Sequence, residues 1–254
     1  CVGDIILDKF VYGDVERISP EAPIPVFNIK TNKLMLGGAG NVASNLSGLG
    51  AKTRFITVVG NDLAGSDVKE LITATPNMNS TLIAEKERRT SIKTRYIAGG
   101  QQMMRADDET ITLIKKQTKQ RILRLIDSAL NYYNVLVIAD YAKGVLTPEL
   151  IKQLIKLAKK AKIPVIVDPQ GNNYSHYKGV DIVTPNRKEL SLATGMPANS
   201  DKQIRLAANK LISDHNIKSI LATRSGDGMT LINSNSFNTY KAEAQEIFDA
   251  VVSL

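Results

Sequence analysis

Residues 135–140 read VLVIAD, and this aliphatic run decides the fold, because it is typical of a strand buried on both faces of a parallel sheet. A helix is predicted to begin after Thr147, whose side chain is that of a typical N-cap residue. Residues 164–168 (PVIVD) give the next strand, and residues 180–184 (VDIVT) and 219–223 (SILAT) repeat the pattern. This alternation predicts an α/β fold with a mostly parallel sheet flanked by helices.

Polar side chains follow the ends of these strands. Asp140, Asp168, Asn186 and Arg224 all lie at or just beyond a strand end. Because the carboxyl ends of such strands face the ligand crevice, we expect these residues to line a site. Glu189 lies one helical turn after Asn186, where a carboxylate can hold water on a magnesium ion bound to a triphosphate. The alternative is a capping box, in which the two side chains only satisfy the first N–H groups of a helix.

A polar, glycine-containing turn separates residues 219–223 from the apolar residues 229–232. We interpret it as a hairpin whose backbone N–H groups can cradle nucleotide phosphates, although turns of this composition also occur without a ligand. Its candidate nucleotide-binding residues are Thr223, Arg224, Gly226 and Gly228. Lys143, after the first strand quoted above, either neutralises a substrate phosphate or forms a weak surface pair with Asp140.

A glycine-rich loop, GGAGN at residues 37–41, precedes another predicted helix. Gly37 and Gly38 allow the backbone to approach a polyhydroxylated ligand, and Asn41 offers both a donor and an acceptor to hydroxyl groups. One alternative is a tight turn before a helix. Another is a dinucleotide-binding fingerprint with Asp62 as its acidic residue, but residues 31–35 do not resemble the strand that this motif requires.

Two early segments, residues 9–30 and 88–108, interrupt the alternation of strands and helices. Both have strand patterns broken by proline or glycine, so we interpret them as a small β-sheet that forms a lid over the crevice. Surface hairpins are the alternative. The second segment carries a polar, cationic set able to grip a phosphate on the substrate: Lys93, Arg95, Gln101, Gln102 and Arg105.

Composition narrows the class of protein. The 254 residues fit a single domain with a lid insertion, and the net charge of +8 suits phosphorylated substrates. One cysteine and two unrelated histidines argue against disulfides and against zinc sites. No apolar run reaches the roughly 18 residues of a membrane span, so no membrane partner and a cytoplasmic location are expected. Because the basic residues spread over helices such as residues 152–162, they indicate solvated faces and no nucleic-acid partner.

Four motifs together resemble one family: GDIILD at residues 3–8, RISPEAPIPV at 17–26, GGAGNVA at 37–43 and QQxxR at 101–105. They are similar to motifs of the ribokinase-like (PfkB) carbohydrate kinases, and most of all to family members that act on heptose 7-phosphate in lipopolysaccharide core synthesis. The resemblance implies a Rossmann-like α/β core with a β lid that mediates a homodimer. It also implies ATP and Mg²⁺ as cofactors. The expected reaction transfers the γ-phosphoryl group to the anomeric O1 of D-glycero-β-D-manno-heptose 7-phosphate.

The resemblance also implies roles for individual residues. Sugar contacts are expected at Asp4, Asp8, Gly37, Gly38 and Asn41. Further substrate contacts are expected at Asp140, Lys143, Lys93, Gln101 and Arg105. The Mg-ATP site is expected at Asn186 and Glu189, with Glu189 holding the metal through water, and the nucleotide at residues 223–228.

The sequence departs from the family at its end. The family's Gly-Ala-Gly-Asp motif, which carries the catalytic base, is expected near Asp249, but the chain reads IFDAVVSL there and stops. We therefore expect the first residues, this loop and the C-terminal part to lie outside the sequence, and no catalytic residue is assigned. The alternatives are another sugar or sugar-phosphate kinase of the family, a non-catalytic sugar-phosphate or nucleotide-binding protein, and, least favoured, a dinucleotide oxidoreductase.

Overall fold

A computed structural model describes residues 1–242, which form two compact units. The first unit comprises Cys1–Asp4 and the described residues from Leu113 onward, and the second comprises Ile5–Thr112. The strands are β1 (Val2–Gly3), β2 (Ile5–Ile18), β3 (Pro25–Gly38), β4 (Thr53–Gly60), β5 (Met78–Glu85), β6 (Ser91–Ala98), β7 (Gln101–Asp108), β8 (Leu136–Ala139), β9 (Val165–Asp168), β10 (Ile182–Val183), β11 (Ser219–Thr223), β12 (Met229–Asn233) and β13 (Phe237–Tyr240). The α-helices are α1 (Ala39–Gly48), α2 (Leu63–Ala74), α3 (Lys116–Ala129), α4 (Pro148–Lys160), α5 (Arg187–Thr194) and α6 (Asp201–His215).

In the described part of the first unit, the strands lie in the order β13-β12-β11-β10-β9-β8-β1. Neighbours from β1 to β11 are parallel, and the last two pairings are antiparallel. Every strand predicted here is present, and α4 begins after Thr147, whose hydroxyl accepts a hydrogen bond from the Leu150 N–H. Leu150 and Leu154 are fully buried, as the helical spacing requires. The predicted α/β class with a mostly parallel sheet is confirmed.

The second unit contains the predicted small sheet, with four strands in the order β3-β2-β6-β7. β2 pairs with β3 antiparallel and with β6 parallel, and β6 pairs with β7 antiparallel. The sheet is larger than the segments 9–30 and 88–108 suggested, because β2 begins at Ile5 and β3 continues to Gly38. That it acts as a lid stays a prediction. The parallel pair β4–β5 and helices α1 and α2 belong to the same unit.

Residues 31–35 form part of a strand, although not the strand that the dinucleotide fingerprint requires. They belong to β3, and the polar side chains of residues 31–33 are exposed, which hides the alternation expected of a half-buried strand. β3 is antiparallel to β2, so it is not the opening strand of a parallel dinucleotide-binding unit. Asp62 is engaged locally: its carboxylate accepts hydrogen bonds from the Gly65 N–H and from the Thr90 N–H and hydroxyl.

Two further expectations concern the Gly-Ala-Gly-Asp motif and membrane-spanning helices. Asp249, near which the Gly-Ala-Gly-Asp motif was expected, lies outside the described residues. Among residues 1–242, the helices are all too short or too polar to span a bilayer.

Candidate active site

Four carboxylates, which we call the strand-end cluster, lie at the carboxyl ends of the first unit's strands or just beyond: Asp4, Asp140, Asp168 and Glu189. The sheet ladder continues past the strands, since the Asp140 N–H donates to the Asp168 carbonyl at 2.9 Å. The Asp4 N–H donates to the Ala139 carbonyl at 3.3 Å. The parallel sheet therefore gathers residues that are far apart in sequence.

Asp4 organises the loop after β8. Its side chain is fully buried, and its two carboxylate oxygens accept hydrogen bonds from the Tyr141 N–H at 3.0 Å and the Val145 N–H at 2.9 Å. Asp140 accepts from the Ala142 N–H at 2.9 Å in the same loop, which carries Lys143. Because buried carboxylates need donors, these bonds hold both the acids and the loop in place. A contact between Asp4 and a sugar stays a prediction.

Asp140 has an altered acidity. Burial raises its pKa to about 6, and the negative charges of Asp4 and Asp168 act in the same direction. The Ala142 N–H and the Tyr177 hydroxyl, which donates to the other carboxylate oxygen at 2.7 Å, oppose this rise. Asp140 therefore loses its proton at a higher pH than an ordinary aspartate does.

Asp168 is held by two hydroxyl groups. The Tyr141 hydroxyl donates to one oxygen at 2.8 Å, and the Thr184 hydroxyl donates to the other at 3.3 Å. Burial raises the pKa of Asp168 above its ordinary value, while both hydroxyl bonds oppose that rise. Its charge in turn contributes to the raised pKa of Glu189, whose main cause is burial.

Asn186 and Glu189 form a complete capping box at the start of α5. The Asn186 side chain accepts from the Glu189 N–H at 2.9 Å, and the Glu189 carboxylate accepts from the Asn186 N–H at 2.8 Å. The bond to the Asn186 N–H uses Oε2. Capping and ligand binding are therefore compatible, because the half-buried carboxylate has a second oxygen.

The turn between β11 and β12 lies beside this helix start. The Thr223 N–H donates to the Pro185 carbonyl at 2.9 Å, and Arg187 forms an ion pair with Asp227. The structure thus brings together the two segments predicted to bind the nucleotide. Gly228 has φ of +89°, and a Cβ there would lie 2.0 Å from the Tyr240 carbonyl oxygen, so only glycine fits.

The exposed turn offers backbone donors. The Arg224, Asp227 and Gly228 N–H groups are satisfied within the turn, whereas those of Ser225 and Gly226 have no acceptor in residues 1–242. Two neighbouring N–H groups that face solvent suit an anion. The Arg224 guanidinium is engaged elsewhere, by the Asp201 carboxylate at 2.7 Å and the Thr230 hydroxyl at 3.0 Å.

In the second unit, four of the residues predicted to contact the substrate lie on neighbouring strands beside Asp107, and we call these five the charged sheet face: Asp8, Lys93, Arg95, Arg105 and Asp107. Arg95 pairs with Asp8 at 2.6 Å, and the Arg105 side chain pairs with Asp107 at 2.9 Å. Lys93 lies in register between Asp8 on β2 and Asp107 on β7. Cations and carboxylates therefore alternate along the row Asp8–Lys93–Asp107, whereas Arg95 lies opposite Arg105.

The glycine-rich loop lies in the second unit. A Cβ on Gly37 would lie 2.2 Å from an Asp8 carboxylate oxygen, so glycine is required for Asp8 to occupy its position. Gly38 is the N-cap residue of α1, and Asn41 is exposed in the first helical turn. Gln101 and Gln102 are exposed just after the β6–β7 turn.

Sequence reasoning missed three side chains of the site. Tyr177 is fully buried and donates to Asp140, and Tyr174 packs edge-on against it with ring centroids 5.4 Å apart. The Tyr174 hydroxyl is buried without a hydrogen-bond partner among the described residues. Thr184 holds Asp168. Residues 173–177 (NYSHY) follow no strand or helix pattern, so only the spacing of two tyrosines hinted at a role.

Comparison with known proteins shows the family. The model of the pfkB family carbohydrate kinases matches residues 1–251. The chain belongs to the PfkB family of carbohydrate kinases. Bifunctional protein HldE of Rhodospirillum rubrum is 44% identical over 250 residues, which cover 98% of this chain and 50% of that protein. HldE of Paramagnetospirillum magneticum is 46% identical over 250 residues, 98% of this chain and 51% of the relative. This PfkB chain spans about half the length of these curated relatives.

Solved structures confirm the ribokinase-like fold. Arabidopsis thaliana ribokinase in complex with ribose and ATP gives a TM-score of 0.72 at 19% identity, covering 94% of this chain and 76% of that one. Phosphofructokinase-2 from Escherichia coli in complex with fructose-6-phosphate gives a TM-score of 0.74 at 19% identity, covering 96% of this chain and 80% of that one. At these identities the likeness shows the fold alone. Together with the family, it makes this chain a carbohydrate kinase.

The residues present fit a magnesium ion that is held mainly by other ligands. Asp168 and Glu189 supply the hard oxygen donors that magnesium prefers, and the mutual repulsion of their charges is relieved by a cation. Within residues 1–242, no group of three or more His, Cys, Asp or Glu side chains can hold a metal ion. Magnesium commonly keeps waters and phosphate oxygens as its remaining ligands, so a site with few protein carboxylates is expected of it.

Proposed function

We propose that this chain is the part of its protein that uses ATP to phosphorylate D-glycero-β-D-manno-heptose 7-phosphate at the anomeric O1. The product is the 1,7-bisphosphate, an intermediate on the way to ADP-heptose and the lipopolysaccharide core. The observation that carries the proposal is the 44–46% identity to the two HldE proteins over 98% of this chain. The heptose kinase motifs at residues 3–8, 17–26 and 101–105 support it.

The charged sheet face supports a substrate that already carries a phosphate. Its ion pairs keep some contact with solvent, with the side chains of Arg95 and Asp8 about one fifth exposed, so a ligand can reach the cations. A dianionic phosphate is a stronger acceptor for a guanidinium than a solvated carboxylate. We assign the 7-phosphate to Lys93, Arg95, Arg105 and Gln101, and the sugar hydroxyls to Asp8 and Asn41.

The nucleotide is assigned to the first unit. The turn containing Thr223, Arg224, Gly226 and Gly228 holds phosphates through its free N–H groups, and Asn186 orients Glu189 toward the metal-bound water. When bound, Mg²⁺ neutralises negative charge on the phosphates. The chain's own residues serve to position the substrate. Asp4 and Asp140 accept hydrogen bonds from the loop that carries Lys143, and this loop presents a cation to the substrate. The proton acceptor for O1 is expected near Asp249, outside the described residues.

A homodimer formed through the small sheet is part of the proposal. β7 is an edge strand and is exposed along its whole length, and unpaired edge strands are ready to pair. Large apolar side chains are exposed on the same sheet or in its turns: Ile18, Ile24, Ile29, Met103 and Met104. Exposed apolar groups of this kind mark association surfaces.

The cytoplasmic location also stays a prediction.

ADP release measured with heptose 7-phosphate, ribose and fructose 6-phosphate tests the proposal. We expect kcat/KM for heptose 7-phosphate to exceed the other two by at least about 100-fold, because the sugar-phosphate contacts act together. Faster turnover of ribose or fructose 6-phosphate would assign the chain to another substrate of the family. Nucleotide binding without turnover on any of the three would favour a non-catalytic sensor.

A further inference from the structure

Helices α3 and α4 account for most of the chain's net positive charge. Their 27 residues contain eight basic and two acidic side chains, a net charge of 8 − 2 = +6 out of +8 for the whole chain. The two helices are in contact, and each has a buried face, which includes Ile122 on α3 and Leu154 on α4. Three of their cations, Arg124, Lys156 and Lys160, line one groove of the first unit.

This groove has an apolar floor. It has a volume of about 510 Å³, and its apolar floor includes Leu123 of α3 and Leu157 of α4. Arg124, Lys156 and Lys160 line its sides, with Asp127 as the acidic lining residue. Ordinary solvated lysine faces do not enclose an aliphatic floor, so the groove adds information that the sequence pattern did not contain.

The cations at the groove are uncompensated. None of the ion pairs in the described part of the chain includes Arg124, Lys156 or Lys160. Lys152, Lys156 and Lys160 recur every four residues on α4, and like charges at this spacing repel each other. The repulsion disfavours the isolated helix, and an anionic partner would relieve it.

We propose that the α3–α4 groove binds an acidic amphipathic helix of a partner protein. Apolar residues spaced three and four apart on that helix would fill the floor between Leu123 and Leu157. Carboxylates flanking the apolar stripe would pair with Arg124, Lys156 and Lys160, so the charges steer and orient the helix. The groove is open and follows two helices, which fits an elongated partner. Nucleic acid would use the cations without the aliphatic floor, and a membrane would need protruding apolar side chains.

The first test uses two synthetic peptides of about 18 residues, long enough for several helical turns. One has leucines at helical spacing flanked by glutamates, and the other has the same composition in an order that destroys the stripe. Fluorescence anisotropy should show that the amphipathic peptide binds at least about tenfold more tightly than the scrambled one. Equal binding of the two, or no binding at about 100 µM, would overturn the proposal.

Charge reversal locates the binding surface. Lys156→Glu with Lys160→Glu should weaken amphipathic-peptide binding at least about tenfold. The matched control, Lys52→Glu with Lys202→Glu, makes the same change in net charge at exposed lysines that do not line the groove, and should change binding less than about twofold. Equal losses in both variants would mean general attraction and would contradict a specific groove.

Two further ligands separate this proposal from its rivals. A DNA duplex and phosphatidylglycerol vesicles are tested with the same variants. If either binds more tightly than the amphipathic peptide and loses binding in the groove variant alone, the surface serves that ligand and the proposal is wrong. Kinase activity is expected to be unchanged in both variants, so this result stands apart from the proposed function.

Discussion

The carboxylates of the strand-end cluster in the first unit and those of the charged sheet face in the second differ in their burial and in their partners. In the cluster, Asp4 and Asp140 are buried and accept hydrogen bonds from loop N–H groups. On the sheet face, Asp8 instead pairs with an arginine, and both side chains remain partly in contact with solvent. In the cluster, the buried carboxylates hold the backbone of the loop in place, and burial shifts their pKa values. On the sheet face, the partly exposed cations can release a carboxylate and bind a ligand in its place. The comparison separates a positioning region from a recognition region.

Removing the charge of Glu189 should have the largest effect. In Glu189→Gln the side-chain oxygen still accepts from the Asn186 N–H, because a capping box tolerates either residue. We expect kcat to fall at least about 100-fold and the magnesium requirement to rise, while the free energy of unfolding changes by less than about 0.5 kcal/mol.

Glu189→Ala is the control for capping. It should lose similar activity and, in addition, about 1 kcal/mol of stability in urea unfolding, because the hydrogen bond from the Asn186 N–H to the side chain is lost. Near-normal turnover of Glu189→Gln together with poor turnover of Glu189→Ala would show that the side chain acts only as a cap.

The pH dependence of stability sharpens the account of the cluster. The pKa of Asp140 is raised to about 6 in the folded state, so folding favours its protonated form. Its contribution to stability is present in full below pH 3.8 and is lost as the pH rises through about 6, a change of about 3 kcal/mol. The asparagine of Asp140→Asn does not titrate, so the variant does not lose this stability as the pH rises. Between pH 5 and 7.5 the variant should therefore gain about 1.5 kcal/mol relative to the parent in urea unfolding.

An exposed aspartate supplies the comparison for Asp140. Asp127→Asn on α3 makes the same chemical change at a side chain exposed to solvent, and it controls for effects of the substitution itself. A difference between Asp140→Asn and the parent that stays constant from pH 5 to 7.5 would contradict the cluster account.

The two regions also differ in how far the sequence could predict them. The strand ends were predictable because aliphatic runs mark buried parallel strands, and each is followed directly by a polar residue such as Asp140 or Asp168. The partners of those residues were not, because Tyr177 and Thr184 approach them only after the chain folds. The small sheet was predicted with wrong limits, since its exposed strands lack a regular alternation.

On the charged sheet face, Arg95→Gln should leave stability within about 1 kcal/mol, because the ion pair with Asp8 is partly exposed. KM for the sugar phosphate should rise about tenfold, with kcat nearly unchanged, because a cation used for binding is lost. Arg89→Gln is the control: it breaks a more exposed pair, with Asp108, outside the face, and should leave KM unchanged. A larger loss of stability than of affinity would make Arg95 a structural residue.

The smallest effect is expected at Tyr174. Its hydroxyl is buried without a partner among the described residues, so Tyr174→Phe should raise the free energy of unfolding by up to about 1 kcal/mol. Tyr177→Phe, which removes the donor to Asp140, should lower it by about 1 kcal/mol. Thermal unfolding of the two variants checks that the two substitutions change stability in opposite directions. Destabilisation by both would indicate that the Tyr174 hydroxyl has a bound water or other partner.

Phosphorus NMR of the protein incubated with ATP, Mg²⁺ and D-glycero-β-D-manno-heptose 7-phosphate tests the central claim most directly. The account predicts a new signal from a phosphate on the anomeric carbon, which grows at the rate of ADP formation while the 7-phosphate signal is retained. ADP formation without an anomeric phosphate signal, or a new phosphate at another hydroxyl, would contradict it.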